Sequence, residues 1–440
     1  MDYYQRKIDR ELQQWSNEKR RKPLMLRGAR QVGKTSAIRN LGKRFKYFVE
    51  INFENKDHSA AKTVFSQHSE PQIICSELAV LFSKPIVAGE TLLFLDEIQS
   101  CTDAISSLRY FYEYLPALHV IAAGSLLEFA LEEIPSFGVG RIDSMFMYPF
   151  SFNEFLCATG HEIWANLIDE ATPEKPVSEP IHEKIIEQLK NFLIIGGMPE
   201  VVAEFVETRD FLRCQKILNS LLVSFRNDFA KYKKRIPAAR INEVFSSVSL
   251  QAEGKFIYEH VAQNLSNEQV KKSLELLLMA GLCYQVTHSS ADGVPLGARI
   301  NPKHRRIIPF DTGIYQRILN MDISGILLSN NFDTINKGAV AEIFVGCELK
   351  KNTSCYSDEE LYCWVREKKN ATAQIDFVVQ RDETIVPLEV KSGKQGKMQS
   401  MWVFMKEKNS NYGIRTSLEN FAQYDKIKVY PLYAVGNILS

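Results

Sequence analysis

One stretch constrains this chain more than any other: residues 23–36, PLMLRGARQVGKTS. A short apolar strand, Leu24 to Leu26, runs into a glycine-bracketed turn and then into a helix. Gly28, Gly33, Lys34 and Thr35 satisfy the spacing G-x-x-x-x-G-K-[ST]. The glycines let the main chain curl until consecutive N–H groups face a single anion. Lys34 is then placed to reach the outer phosphates, and the Thr35 hydroxyl to ligate Mg²⁺. The helix that follows turns its positive dipole end toward the same spot.

Such a loop works with an acidic strand tip beside it, and residues 91–99, TLLFLDEIQ, supply one. Their continuous apolar run is that of a parallel strand covered on both faces. Asp96 at its carboxyl end is placed to hold the hydration shell of Mg²⁺, and Glu97 to polarise an attacking water. Alone, an acidic pair after a strand reads as a turn or a helix cap; the loop upstream reverses that reading. A third buried strand, Leu118 to Ala123, ends in Gly124-Ser125, where Ser125 either senses the terminal phosphate or caps the next helix. Arg141 is a candidate arginine finger, acting in its own or a neighbouring subunit, with a solvated loop arginine as the alternative.

A length of 440 residues is about three domains' worth. The formal net charge of +1 excludes a globally basic nucleic-acid binder, so any such contact must come from local patches. Eight cysteines without a C-x-x-C or paired histidine spacing point to reduced thiols in a cytoplasmic protein, not to a disulfide frame or a zinc site. The amino terminus, MDYYQRKIDR, is charged where a signal peptide needs an apolar core, and no window approaches the roughly 18 apolar residues of a membrane span. No membrane association is expected.

Downstream the periodicity turns helical. Ser151 and Glu154 form the capping-box pattern S-x-x-E. Residues 172–180, TPEKPVSEP, hold three prolines and read as a linker, and residues 195–200, IGGMPE, as a hinge or tight helix-to-helix turn. Arg226 to Arg240 carries six basic residues against one acid over 15 positions, with Phe229 and Tyr232 interleaved. That mixture suits a phosphate backbone; the alternative is a solvated face. Three helices near 240–249, 256–263 and 267–280, then strands at 283–287 and 306–309, follow the order of a winged helix. Its reading helix would present Gln269, Lys271 and Lys272 to DNA, with protein docking as the alternative role. Residues 320–335 read as a mobile junction before a long helix from 336 to about 351.

A second constellation lies near the carboxyl end. Strands at 360–366, 374–380 and 384–391 carry Asp376, Glu389 and Lys391 in the spacing D-x12-E-x-K. Residues two apart on a strand share a face, so Glu389 and Lys391 project together and a neighbouring strand can bring Asp376 beside them. Glu342 on the preceding helix is a fourth candidate. Two carboxylates can hold Mg²⁺ while the lysine orients or deprotonates a water for attack on a phosphodiester.

Residues 28–35 (GARQVGKT), 95–99 (LDEIQ), Gly140-Arg141 followed by 148–155 (YPFSFNEF), 196–200 (GGMPE), 228–232 (DFAKY) and the run from Ile375-Asp-Phe to Glu389-Val-Lys391 resemble a large prokaryotic group. These are AAA-superfamily P-loop ATP-binding proteins with a carboxy-terminal domain of unknown function that contains a restriction-endonuclease-like, PD-(D/E)xK, fold. The resemblance spans nearly the whole chain. It implies ATP held by Gly28, Ala29, Arg30, Gln31, Val32, Gly33, Lys34 and Thr35 with Ser36 alongside, Mg²⁺ coordinated through Thr35 and Asp96, and water activated by Glu97. The acid common in that group two positions before the strand aspartate is Gln374 here, which counts against metal at the second constellation.

The expected architecture is an α/β P-loop ATPase domain at 1–170, a helical winged-helix-like domain at 181–325 and a small restriction-endonuclease-like α/β domain at 336–440. The expected function is an ATP-hydrolysing switch that couples nucleotide state to a DNA or protein partner, with oligomerisation open. Lys34 and Arg141 would stabilise charge on the transferring phosphoryl group. The alternatives are an ATP-regulated, metal-dependent DNA nuclease and a nucleotide-gated binding module with negligible turnover.

Overall fold

The structure, a computed structural model, describes residues 3–124, 131, 140–232, 236–321, 337–367, 372–391 and 398–439. The chain divides into two units: Met1–Tyr148 with Ser354–Asp358, and Pro149–Thr353 with Glu359–Ser440.

The first unit is built on a parallel five-stranded sheet ordered β2-β3-β4-β1-β5, from β1 (Leu24–Arg27), β2 (Tyr47–Asn52), β3 (Thr91–Asp96), β4 (His119–Ala123) and β5 (Asp143–Phe146). Parallel strands need crossovers, and the helical segments between them supply these. They are α2 (Lys34–Gly42), α3 (Ser59–Gln67), α4 (Pro71–Leu81) and α5 (Thr102–Tyr114), preceded by α1 (Lys7–Asn17). Every residue of β3 is buried, as its unbroken apolar run requires. On one face Val49, Ile51, Leu93, Leu95 and Val120 of the sheet pack with Val64, Ile74, Leu78, Ile105 and Phe111 of α3, α4 and α5. The order of strands leaves the carboxyl ends of β1 and β3 on one edge, where the loop and the acidic pair emerge. Residues 354–358 belong to this unit: Phe146 N–H donates to the Cys355 carbonyl at 2.7 Å, and Tyr356 Oη to Glu11 Oε2 at 3.2 Å.

The second unit opens with α6 (Phe152–Ala158) and α7 (Glu162–Glu170), followed by α8 (Glu179–Ile195), α9 (Pro199–Thr208), α10 (Phe211–Asp228), α11 (Ala238–Leu250), α12 (Asn267–Met279), α13 (Thr312–Ile318), α14 (Lys337–Asn352) and α15 (Gln399–Lys408). The capping box is present at α6: Ser151 Oγ accepts from Glu154 N–H, and the Glu154 carboxylate from Ser151 N–H at 2.8 Å. Its sheet has eight strands, ordered β12-β13-β11-β10-β9-β8-β6-β7. They are β6 (Cys283–Ser289), β7 (Ile300–Pro309), β8 (Leu361–Val365), β9 (Gln374–Arg381), β10 (Thr384–Val390), β11 (Gly413–Ser417), β12 (Ala422–Tyr424) and β13 (Ile427–Pro431). Helix α14, the antiparallel meander β8-β9-β10, helix α15 and then β11, parallel to β10, follow one another along the carboxy-terminal region.

The two compact units divide at 148/149, and the proline-rich stretch 172–180 lies inside the second. That stretch is a tight packed turn, with Thr172 and Lys175 bonded to each other through their main chains and a buried Val177 whose carbonyl accepts from Asn420 Nδ2 at 2.7 Å. The helix expected at 256–263 is reduced to one 3-10 turn, Tyr258–His260. Its main-chain groups are engaged elsewhere: Phe256 N–H by the Arg305 carbonyl, and both polar groups of Ile257 by the Gln251 side chain. The strand pair is not a detached wing, because β6 also pairs in parallel with β8, Val286 opposite Leu361. As for residues 195–200, the turn between α8 and α9 is held by Asp311, whose carboxylate accepts from Gly197 N–H at 2.6 Å. The junction expected at 320–335 lies, from 322 on, outside the described residues.

All eight cysteines are free, six of them buried, with Cys157 exposed and Cys355 half-buried. Among the described residues no helix is long and apolar enough to cross a membrane.

Candidate nucleotide site and acidic cluster

The loop after β1 carries two left-handed turns that only glycine tolerates easily. Gly28 has φ +134°, and a Cβ there would lie 2.1 Å from the Met147 carbonyl oxygen; Gly33, at φ +101°, caps α2. Lys34, first residue of α2, is buried and folds its ammonium back over the loop, donating to the carbonyls of Gly28 at 2.7 Å and Ala29 at 2.8 Å. Next to it Thr35 Oγ1 donates to Asp96 Oδ2 at 3.2 Å. The tip of β3 is thus joined to the start of α2, as the two sequence patterns require.

Asp96 is organised by more than the sequence pattern offered. Parallel register sets Asn52 of β2 opposite Asp96, and Asn52 Nδ2 donates to the same Oδ2 at 3.3 Å. Glu97 N–H donates to Asp96 Oδ1 at 3.1 Å. Burial, then the adjoining Glu97 carboxylate, push the Asp96 carboxyl up to about 6. Burial likewise brings the Lys34 ammonium down to about 8, against the pull of Glu97 and Asp96. Glu97 itself takes a left-handed conformation at φ +50°, and Gln99 Nε2 donates to its Oε2 at 2.6 Å.

Behind the loop stands Arg6, buried just before α1. Its guanidinium donates to the Val32 carbonyl at 3.2 Å and the Tyr148 carbonyl at 2.8 Å, bracing the back of the loop. Asn52 had a sequence signal, a polar residue ending a parallel strand beside the acidic one. Gln99 had a weaker one in its position two residues past Glu97. Arg6 had none, since 26 residues separate it from the carbonyl it holds. Arg141, the candidate finger, pairs through Nε with Glu113 of α5 at 2.5 Å. Ser125 lies outside the described residues.

The donor set fits Mg²⁺ bound with a triphosphate, which takes few protein ligands, here a hydroxyl and a carboxylate, and leaves the rest to phosphate and water. The loop N–H groups and Lys34 are what remain to meet the phosphate charge.

In the second unit the four residues Glu342, Asp376, Glu389 and Lys391 are brought together, but with cations among them. Arg306 of β7 donates through Nη1 to Glu342 Oε2 and through Nη2 to the Asp376 carbonyl, and stacks its guanidinium 5.1 Å from the Phe377 ring centre. Asp376 Oδ2 accepts from Val390 N–H at 2.8 Å, and Lys391 Nζ pairs with Glu389 Oε1 at 2.5 Å. Arg415 of β11 stands opposite Glu389 in the parallel ladder and pairs with Glu419 at 3.0 Å. Burial, then Asp376, raise the Glu342 carboxyl to about 7, with Arg306 pulling the other way. Among the described residues no three or more His, Cys, Asp or Glu side chains are grouped to hold a metal ion.

The basic stretch 226–240 is altered by packing. Phe229 is buried and meets Phe245 edge-on at 5.6 Å, so it is core rather than a stacking face for bases. Residues 233–235 lie outside the described residues, and Arg240 pairs with Glu243 at 3.3 Å. On α12, Gln269 is spent in the capping box with Ser266, Lys272 pairs with Glu268 and Lys271 with Glu275.

Residues 20–156 match the family described as an AAA domain, residues 186–324 a domain of unknown function (DUF8612), and residues 337–435 another domain of unknown function (DUF4143). No curated protein matches the chain. Among solved structures, a Walker-type ATPase of Pyrococcus abyssi is similar over 73% of this chain and 97% of its own, at 16% identity and TM-score 0.45. The ORC1 protein of Aeropyrum pernix, solved in complex with DNA, is similar over 73% of this chain and 92% of its own, at 11% identity and TM-score 0.28. Unliganded Pif1 from a Bacteroides species is similar over 43% of this chain and 56% of its own, at 13% identity and TM-score 0.22. The chain thus carries an AAA-type P-loop ATPase domain, followed by two domains of unknown function.

Proposed function

We propose that this protein is an ATP-hydrolysing switch, whose nucleotide state sets how its second unit engages a DNA or protein partner. The observation that carries this reading is the join between the two sequence patterns: Lys34 over the loop carbonyls, and Thr35 bonded to Asp96. When bound, Mg²⁺ neutralises charge on the outer phosphates and lowers the barrier to their transfer. The chain's own part is distinct. Loop N–H groups and Lys34 hold the triphosphate, Thr35 and Asp96 supply the cation's protein ligands, and Glu97, steadied by Gln99, aligns the attacking water. Coupling is supported by connectivity, since the chain passes between the units at 148/149, 353/354 and 358/359.

The test is nucleotide titration with a turnover assay. Lys34→Ala is expected to lose nucleotide binding, and Glu97→Gln to bind ATP and hold it unhydrolysed. Parent-like hydrolysis by both variants would reject the reading. Partner choice is read from DNA affinity with and without ATP over a salt series, because a phosphate-backbone contact weakens as ionic strength rises. A DNA affinity indifferent to nucleotide leaves a protein as the switched partner.

A further inference from the structure

The resemblance to proteins with a restriction-endonuclease-like end implies a divalent cation among Glu342, Asp376, Glu389 and Lys391, and the donor atoms of this chain do not fit one. A cation site needs carboxylate oxygens that converge with their lone pairs open. Here Glu342 Oε2 is taken by Arg306 Nη1, Asp376 Oδ2 by Val390 N–H, and Glu389 Oε1 by Lys391. The Asp376 main-chain carbonyl is taken by Arg306 Nη2. Glu389 Oε2 is buried without a hydrogen-bond partner, and Arg415, a cation built into the sheet, stands opposite Glu389 in the ladder.

We propose that Arg306, held between Glu342 of α14 and Asp376 of β9, is the resident counter-cation of this core, so that the cluster is closed to divalent metal and its role is to fasten α14 to the sheet. Arg306 comes from β7, at the far edge of the eight-stranded sheet from β12, and Asp376 from β9. A guanidinium is always charged, is planar, and reaches two acceptors at once, which a hydrated metal ion would otherwise have to do. The position is enclosed as well: Arg306 is only 8% exposed and Phe377 covers its face.

The experiment titrates Mn²⁺ into the full-length chain without nucleotide, in an Asp96→Asn background that removes the acid of the phosphate-loop site, and follows bound metal by electron paramagnetic resonance and calorimetry. The parent cluster is expected to bind none. Arg306→Ala is expected to gain one Mn²⁺ site and to have its lowered melting temperature raised again by Mn²⁺, both effects lost when Asp376→Asn is added. Arg306→Lys, which keeps a cation in place, is expected to stay metal-free. Metal bound by the parent and lost on Asp376→Asn or Glu342→Gln would overturn the proposal. So would a folded Arg306→Ala protein that gains no site, since its cluster would then have been closed by something other than Arg306.

Discussion

The phosphate loop and the acidic cluster are made of the same kinds of residue and differ in who supplies the counter-charge. Both place a buried carboxylate near the carboxyl end of a strand, Asp96 in β3 and Glu389 in β10, with a lysine beside it. At the loop, Lys34 rests on neutral carbonyls and Asp96 is met by a hydroxyl and an amide, neither of which cancels its charge. In the cluster, Glu342 and Glu389 each have a cation of the chain itself in contact. The first arrangement is unfinished without a charged ligand. The second carries counter-charges of its own.

That contrast is most open to breaking at Arg306. Arg306→Met leaves the buried Glu342 carboxyl without its cation and is expected to lower stability by about 3–5 kcal/mol in a denaturant titration. Arg306→Met combined with Glu342→Leu should recover most of the loss, because replacing a buried pair by apolar residues of similar volume is often neutral. A double variant as unstable as the single would place the interaction elsewhere.

Next comes Lys34→Ala, where turnover is expected to fall about 10²–10³-fold, as when a preorganised donor to developing charge is removed. Because its carbonyl partners are neutral, the free protein's melting temperature should move little. A large drop would make the loop as self-sufficient as the cluster.

Asp96 gives a smaller effect with a definite sign. Its carboxyl, raised from 3.8 to about 6, holds its proton more tightly folded than unfolded. Ionisation therefore subtracts stability as pH rises from about 4 to about 6, and the deficit is constant above that. Asp96→Asn is expected to stabilise the free protein by about 1–2 kcal/mol at pH 7, given 1.36 kcal/mol per unit and some loss of hydrogen bonds. The gain should vanish near pH 4 while Mg²⁺-dependent ATP binding disappears at every pH; calorimetric melting across pH reads the first and nucleotide titration the second. In the parent, the same ionisation makes Mg²⁺-dependent ATP binding weaken below about pH 6.

The smallest change is expected of Gln99→Ala, which frees Glu97 without removing it. Turnover should drop about tenfold, ~1.4 kcal/mol, with nucleotide affinity kept. Equal loss in both would mean that Gln99 shapes the nucleotide pocket rather than the water-aligning acid.

Much of the first unit was legible from residues alone. A buried parallel strand must be apolar throughout, and the loop's two largest positive φ values fall on Gly28 and Gly33, with Gln31 between them at +65°, so β1, the loop, α2 and β3 followed from local chemistry. Ser151 and Glu154 were equally readable, since a capping box is closed within four residues. What failed was long-range. The prolines at 172–180 gave no sign that the stretch packs as a turn around a buried Val177. Phe229 among basic residues suggested base stacking, yet Phe245 claims it.

The sequence by itself determined that this chain has a phosphate-binding loop with an acidic strand tip, because both are written in contiguous residues whose backbone geometry is locally forced. It also determined the D-x12-E-x-K spacing, and so the face of β10 on which Glu389 falls, with Lys391 one residue past the strand's end. Only the tertiary structure decided what each acid meets. Asn52 reaches Asp96 through strand register, and Arg306 reaches Glu342 across 36 residues through the arrangement of a sheet and a helix. Charge is neutralised in space, not along the chain, so a pattern of acids announces a need for a cation without saying whether the protein supplies its own.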